Sequence, residues 1–362
     1  MEIRVKPIIK VLSLKVSFDK LLKLILMEIK HFIGIDISKS TLDWAVCTPQ
    51  GGIVYQTQSA NSEEAVKGII NIIKTLPGFE NLKSVFCMEH TGIYNAHLLS
   101  HLHRFHFPIW LENSLQIKRS GGIQRGKNDA IDAVRIAQYA FRFKDKIRIW
   151  QPPRQVIQQL AALSAVRHRL LLVRQQLQQP LNEQESFIEL SLQKQLCKTC
   201  QASLKAINAD LEKVDNQIKE IRENDPHLKE LFEFVTSVPG IGVVTASEVI
   251  IATNEFNNIA QPKKLACHAG VAPFEHQSGS SVRGKTGVNH HARKRLKSLF
   301  HLAAMSAVRV KGEIQEYYLR KVAEGKNKML VLNAVRNKLI HRVCAVVHKR
   351  EKYDKNYMLT LA

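Results

Sequence analysis

Between Lys30 and about Ala60 three short strand-like runs follow one another with only turns between them: "HFIGIDIS", "TLDWAVCT" and "GIVYQTQS", the last two joined by "PQGG". Runs this short, rich in β-branched and aromatic residues and punctuated by Gly, Pro and Ser, predict an antiparallel meander. "NSEEAVKGIINIIKTL" follows as a helix, with Asn61 or Ser62 as cap, two glutamates in the first turn and apolar residues at helical spacing. Strand "LKSVFCMEH", helix "GIYNAHLLSHLHRF", strand "FPIWLEN" and helix "KNDAIDAVRIAQYAFRF" complete the region. A meander followed by alternating helices and strands describes an α/β layer fold, in which the first and fourth strands lie side by side.

That layout makes Asp36 a problem. It interrupts an apolar strand, where a carboxylate loses hydration and needs a compensating partner. Glu89 ends the fourth strand, and Asp129 and Asp132 lie three apart on one face of a helix start. Four carboxylates converging at the sheet would repel one another, and divalent cations remove that repulsion. Hard oxygen donors suit Mg²⁺ or Mn²⁺, and such ions orient nucleophile and leaving group in phosphodiester cleavage. Taken singly, Asp129 and Asp132 could be helix N-terminal acids and Glu89 a solvated strand end. The ordered set on a matching fold pattern points to a metal-dependent nuclease.

"RIWQPPR" marks a boundary, because two prolines cannot continue a helix. From Arg154 to Asp225, Leu160, Leu163, Leu170, Val173 and Leu177 recur at helical spacing and predict a helical hairpin or coiled coil, with Pro180 and "KTCQAS" as interruptions. Beyond Pro226, "LFEFVTSVPGIGVVTASEVIIAT" predicts helix, tight turn, helix. Gly240 and Gly242 would leave backbone N–H groups exposed before a helix, as in a helix-hairpin-helix DNA-binding element. The Gly- and Ser-rich "EHQSGSSVRGKTG" leads into a basic helix, "NHHARKRLKSLFHLAAMSAVR", and two further helices. The expected domains are an N-terminal extension over 1–27, an α/β domain over 28–150, a coiled-coil arm over 151–227 and a mainly helical domain over 228–362. The extension is expected to be dispensable, since "MEIKHFIGID" makes a natural start at Met27.

The net charge of +21 implies a polyanionic partner, most simply nucleic acid. From Val282 to Ala362 there are 19 Lys and Arg against 5 Asp and Glu, so the phosphate-binding face is expected there. No apolar stretch approaches a membrane span, and the N-terminal extension has no cleavage site of a secretory signal. Six scattered cysteines form no disulfide framework, which fits a reducing cytoplasm. Cys197 and Cys200 have metal-ligand spacing but no second pair, and are more simply two helix cysteines.

"FIGIDISKSTLDWAV", "MEHTGIY", "RGKNDAIDA", "VPGIGVVTASEVI" and "KKLACHAGVAPFEHQSGSSVRGKTGVNHHARKRLK" resemble the transposases of the insertion sequence 110 family, over about residues 30–345. The resemblance implies a RuvC-like, ribonuclease-H-type domain with a DEDD set of Asp36, Glu89, Asp129 and Asp132. It also implies a coiled-coil arm and a C-terminal transposase domain with a nucleophilic serine, here Ser278. In that family the serine joins covalently to a DNA phosphate with help from the metal site, and strands exchange through a junction-like intermediate. A structured bridging RNA pairs with target and donor DNA, and the protein works as a tetramer assembled from dimers, in the cytoplasm and on the nucleoid. Ser278 lies far along the chain from the carboxylates, so the implied site is composite; Ser280 and Ser281 are near decoys.

Lys39, Lys127, Gly240, Gly242, Arg283, Lys285, Arg293, Arg295 and Lys297 are the expected nucleic-acid contacts. The run "GVNHHARKRLK" departs from the Gly-Asn and Leu-Arg that many relatives carry there, which leaves individual contacts in that helix open. The alternative function is a RuvC-type junction nuclease that uses water and forms no protein–DNA link.

Overall fold

The computed structural model describes residues 28–122, 129–278, 282–288 and 292–354. The 1–27 extension, Lys127, Ser280 and Ser281 lie outside the described residues, as do the side chains of Ser278, Arg283 and Lys285. The chain divides into two compact units, one ending at Pro152 and the other beginning at Pro153.

The first unit is built on a five-stranded sheet of β1 (His31–Ile37), β2 (Thr41–Cys47), β3 (Ile53–Ala60), β4 (Ser84–Glu89) and β5 (Ile109–Glu112). Its spatial order is β3-β2-β1-β4-β5. The meander pairs antiparallel, whereas β4 runs parallel to both β1 and β5. This mixed sheet is compatible with the expected ribonuclease-H-like fold. β1 is buried along nearly its whole length because both sheet faces are covered, and β3 alternates half-buried with exposed as an edge strand does.

On one face Ile33, Ile35, Leu42, Trp44, Phe86 and Met88 pack against α1 (Glu63–Ile73) and α2 (Ala96–Arg104). Ser62 caps α1 by accepting from the Ala65 N–H at 3.3 Å. A short helix the sequence pattern did not suggest, α3 (Ser114–Ser120), starts from an Asn113 cap.

The opposite face carries α4 (Asp129–Arg142), whose Ala133, Ile136, Ala137 and Ala140 pack on Phe32, Ala45, Val85 and Cys87. Small residues bring the two backbones together. A Cβ at Gly34 would lie 2.2 Å from the Ala137 nitrogen and 2.4 Å from the Ala133 oxygen.

The second unit opens with α5 (Gln155–Glu183) and α6 (Leu190–Asn224), antiparallel partners linked by Arg167–Asp215 and Arg174–Asn208 hydrogen bonds. The expected interruptions are absent. α5 runs through Pro180, which sits in its final turns, where the lost hydrogen bond disturbs little helix beyond it. "KTCQAS" continues within α6, since it contains no Gly or Pro and the Thr199 hydroxyl bonds back to the Gln195 carbonyl at 2.9 Å. The chain turns instead at residues 184–189.

α7 (Pro226–Ser237), α8 (Val243–Thr253), α9 (Pro262–His268), α10 (Lys294–Ala307), α11 (Glu313–Ala323) and α12 (Lys328–Lys349) follow. With the first turns of α5 and part of α6 they share one core around Leu160, Val235, Val249, Phe300 and Leu339. The Gly- and Ser-rich stretch contributes two antiparallel strands, β6 (Pro273–Ser278) and β7 (Val282–Val288). No helix among the described residues is long and apolar enough to cross a membrane.

Gly34→Ala is expected to force α4 off the sheet. We expect a stability loss of roughly 1–3 kcal/mol or more in chemical denaturation, accompanied by weaker divalent-cation binding in calorimetry, because Asp129 and Asp132 travel with α4.

Candidate active site

The acidic residues reach one place because three elements end or begin there. Asp36 is the penultimate residue of β1, and Glu89 is the last residue of β4. Parallel pairing of Ile35 with Met88 brings the next residues, Asp36 and Glu89, side by side. Asp129 and Asp132 occupy the first turn of α4, where the helix dipole favours negative charge. Carboxylate oxygens of Asp36, Asp129 and Asp132 can all lie within 4.8 Å of one another. This is the group of three or more candidate metal ligands that converges among the described residues. Cys197 and Cys200 are free thiols on α6 and join no such group.

Burial raises the Asp36 carboxyl above its usual range, and Asp129 and Asp132 raise it further, against one hydrogen bond from the Ile37 N–H. Burial also raises Glu89, followed by the charges of Asp36 and Asp132, while Lys118 opposes them. Both shifts have burial as their largest cause, with the repulsion of neighbouring acids added to it. Arg135 bonds Asp132 at 2.6 Å, one turn along α4, and orients it.

Several residues that hold this arrangement carried no signal in the sequence reading. Asn95, 1% exposed, donates to the Glu89 carbonyl at 2.9 Å and accepts from the Thr91 N–H and hydroxyl. Asn61 bridges the carbonyls of Ser38 and Tyr94 at 2.9 and 3.0 Å. Gln56 donates to the Ala130 carbonyl between the two helix acids. Asp43 stands directly across the β1–β2 pair from Asp36. The tight Ser38–Thr41 turn was the available clue to that last pairing.

The remaining candidates are dispersed. Lys39 is exposed in the β1–β2 turn. Ser278 ends β6, paired in register with Val282, and Arg283 and Lys285 lie on β7. Gly240, at φ +84°, is pressed against α10, with an added Cβ falling 2.4 Å from the Ala303 oxygen. Gly242 precedes α8 and has open space where a side chain would stand.

Arg295 is turned inward. Its guanidinium donates to the Ser164 carbonyl and hydroxyl at 3.2 Å and pairs with Glu248 at 3.2 Å. Glu248 is itself buried and accepts from the Ser164 hydroxyl at 2.6 Å, so α5, α8 and α10 are pinned together. Arg293, more exposed, lies 3.5 Å from the same carboxylate. Lys297 is half-buried on α10.

Family comparison decides the class. A model of IS110-type DEDD transposases matches residues 33–184, and one described as transposase IS116/IS110/IS902 family matches residues 233–319. The chain belongs to the IS110 family of transposases. It is a DNA transposase/recombinase. It is similar to the pilin gene-inverting protein of Moraxella bovis, at 26% identity over 90% of this chain and 98% of that one. The Moraxella lacunata counterpart is 25% identical over the same shares. A 44.8 kDa protein of insertion element IS116 from Streptomyces clavuligerus is 32% identical over 29% of this chain and 28% of its own.

Membership of the DEDD group indicates dependence on a divalent metal, and the acidic cluster suits one. The donors are hard carboxylate oxygens, and at Asp36 and Glu89 burial, followed by the charges of neighbouring acids, raises the proton affinity, a cost that a bound cation would offset.

Three predictions follow from these contacts. A carboxyl raised in the folded state destabilises the metal-free transposase above its folded pKa, and the penalty fades as pH falls toward the ordinary carboxylate range near about 4. Asp36→Asn is therefore expected to melt above wild type at neutral pH without metal, with the difference closing as pH is lowered in a thermal-melt series. Arg295→Ala strands the buried Glu248 charge and is expected to cost roughly 3 kcal/mol in denaturant unfolding. Lys297→Ala is expected to change stability by no more than about 0.5 kcal/mol while lowering the slope of DNA affinity against salt by about one.

Proposed function

We propose that this transposase cuts and rejoins insertion-sequence DNA by metal-assisted serine attack on the phosphodiester. Ser278 is the nucleophile, and Asp36, Glu89, Asp129 and Asp132 bind Mg²⁺ or Mn²⁺. The observation that carries the reading is the convergence of Asp36, Asp129 and Asp132 oxygens within 4.8 Å, with Glu89 outside that group but near enough for the charges of Asp36 and Asp132 to raise its carboxyl. In this proposal the α/β unit is the RuvC-like domain, α5 and α6 form the coiled-coil arm, and the remaining helices form the transposase domain.

The Ser278 Oγ attacks phosphorus. A P–Oγ bond forms as the bond to the leaving sugar oxygen breaks, the hydroxyl proton passes to a base or solvent, and the leaving oxygen takes up a proton. Reversal of that step on a second strand rejoins DNA without loss of the bond energy. A bound divalent cation supplies Lewis-acid stabilisation of the charge that builds on the phosphate oxygens. The carboxylates hold that charge-compensating position, and the β6–β7 ladder fixes the backbone that carries the serine. A serine hydroxyl is a weak nucleophile at neutral pH, which is why it needs such a partner site.

A structured RNA bridging donor and target, a tetramer assembled from dimers, and a cytoplasmic, nucleoid-associated location belong to the same reading. The excess of basic residues after Val282 supports phosphate contact to DNA and RNA, with Lys39, Arg283, Lys285, Arg293 and Lys297 as contributors.

The test incubates full-length protein with element-end and target DNA, its RNA and Mg²⁺, and looks for a denaturation-resistant protein–DNA adduct. Wild type is expected to form it, and Ser278→Ala and Asp132→Asn to form none. Cleavage by wild type with no adduct would assign the chain to water-using junction nucleases instead.

A further inference from the structure

The register of the central sheet lines up more acid than the DEDD set. Asp43 pairs with Asp36 across β1 and β2, and Glu89 pairs with Glu112 across β4 and β5. Asp43, Asp36, Glu89 and Glu112 therefore form a row across the face that α4 covers. The two ends of the row differ. Glu112 has both oxygens engaged, by the Asn113 N–H at 2.7 Å and the Tyr139 hydroxyl at 3.1 Å. Its charge is spread over donors of its own.

Asp43 is only 5% exposed, and the carboxamide of Gln58 donates to both of its oxygens, at 3.1 and 3.2 Å. Among the described residues no cationic side chain pairs with it. A carboxylate this deeply buried and facing Asp36 is costly unless a positive charge is close by. A neutral amide holds it in place without cancelling its charge. The same strand that supplies Gln58 supplies Gln56, which donates to the Ala130 carbonyl in the first turn of α4. One edge strand thus steadies both Asp43 and the first turn of α4 from the same face.

We propose that Asp43, clamped by Gln58, is a positioning residue that adds a fifth negative charge to the cation site. It strengthens divalent-cation binding through the field it exerts at Asp36, without serving as a direct ligand. This rests on the metal-site reading of Asp36, Glu89, Asp129 and Asp132. A unit charge next to the ligand row attracts a divalent cation and repels Asp36 at the same time. Its removal therefore has opposite effects on the metal-free and metal-bound protein, which a purely structural residue would not show.

The experiment measures Mn²⁺ binding to the full chain, without nucleic acid, by titration calorimetry, together with thermal melts of the metal-free protein. Asp36→Asn serves as the reference. Asp43→Asn is expected to raise the Mn²⁺ dissociation constant about tenfold or more and to leave the metal-free melting temperature unchanged or higher. Because an Asn amide would face the Gln58 amide, Asp43→Ala is measured beside it, and whichever variant folds gives the result. Unchanged Mn²⁺ affinity in a folded variant overturns the proposal, and so does loss of fold in both variants, which would make Asp43 structural. If Asp36→Asn binds Mn²⁺ as well as wild type, the metal-site reading itself fails, a result distinct from failure at Asp43.

Discussion

Repulsion among carboxylates at the end of β1 is the constraint around which the first unit is organised. Left alone, Asp36, Asp129 and Asp132 would separate, since nothing in their own charges holds them together. What holds them is backbone. β1 is locked between β2 and β4, and α4 is drawn onto the sheet by Gly34 and the alanines of its inner face. The apolar contact below the site stabilises what the electrostatics above it oppose. A transposase that gathers a cation needs this opposition, because acids free to drift apart would bind metal weakly.

The second unit solves a related problem by other means. Glu248 is buried there too, but the fold supplies its partners directly, with Ser164 from α5 and Arg295 from α10. This carboxylate is compensated within the protein and fastens three helices. The contrast separates two uses of buried acid. At Glu248 the cation is a side chain and the result is rigidity; in the α/β unit the acids face one another, with raised proton affinity at Asp36 and Glu89. It also shows why a basic residue in a basic helix need not face nucleic acid: Arg295 is engaged by Glu248, whereas Arg293 stays more exposed.

The local patterns in the chain carried far. Meander, capped helix and alternating elements were legible because strands and helices announce themselves by period, and Ser62, Glu63 and Glu64 mark a helix start by chemistry local to it. Asp36 and Glu89 were legible as charges in apolar strands, and Asp129 and Asp132 by their spacing at a helix start. Helix ends were less so. Pro180 and "KTCQAS" suggested breaks that the long α5–α6 pairing overrides, since packing along a hairpin outweighs a local propensity penalty.

The sequence by itself determined which side chains carry charge, where strands and helices begin, and that the acids of β1, β4 and α4 could share a face. Tertiary structure alone decided which neutral groups hold those acids. Asn95 on the Glu89 carbonyl, Asn61 between Ser38 and Tyr94, and Gln58 on Asp43 join residues up to 33 positions apart through hydrogen bonds that have no period and no composition signature. The direction of Arg295 was decided in the same way, by a carboxylate on another helix. Periodicity tells which face of an element is buried, whereas the identity of the group across that face depends on register and helix packing, and these are set only when the whole chain has folded.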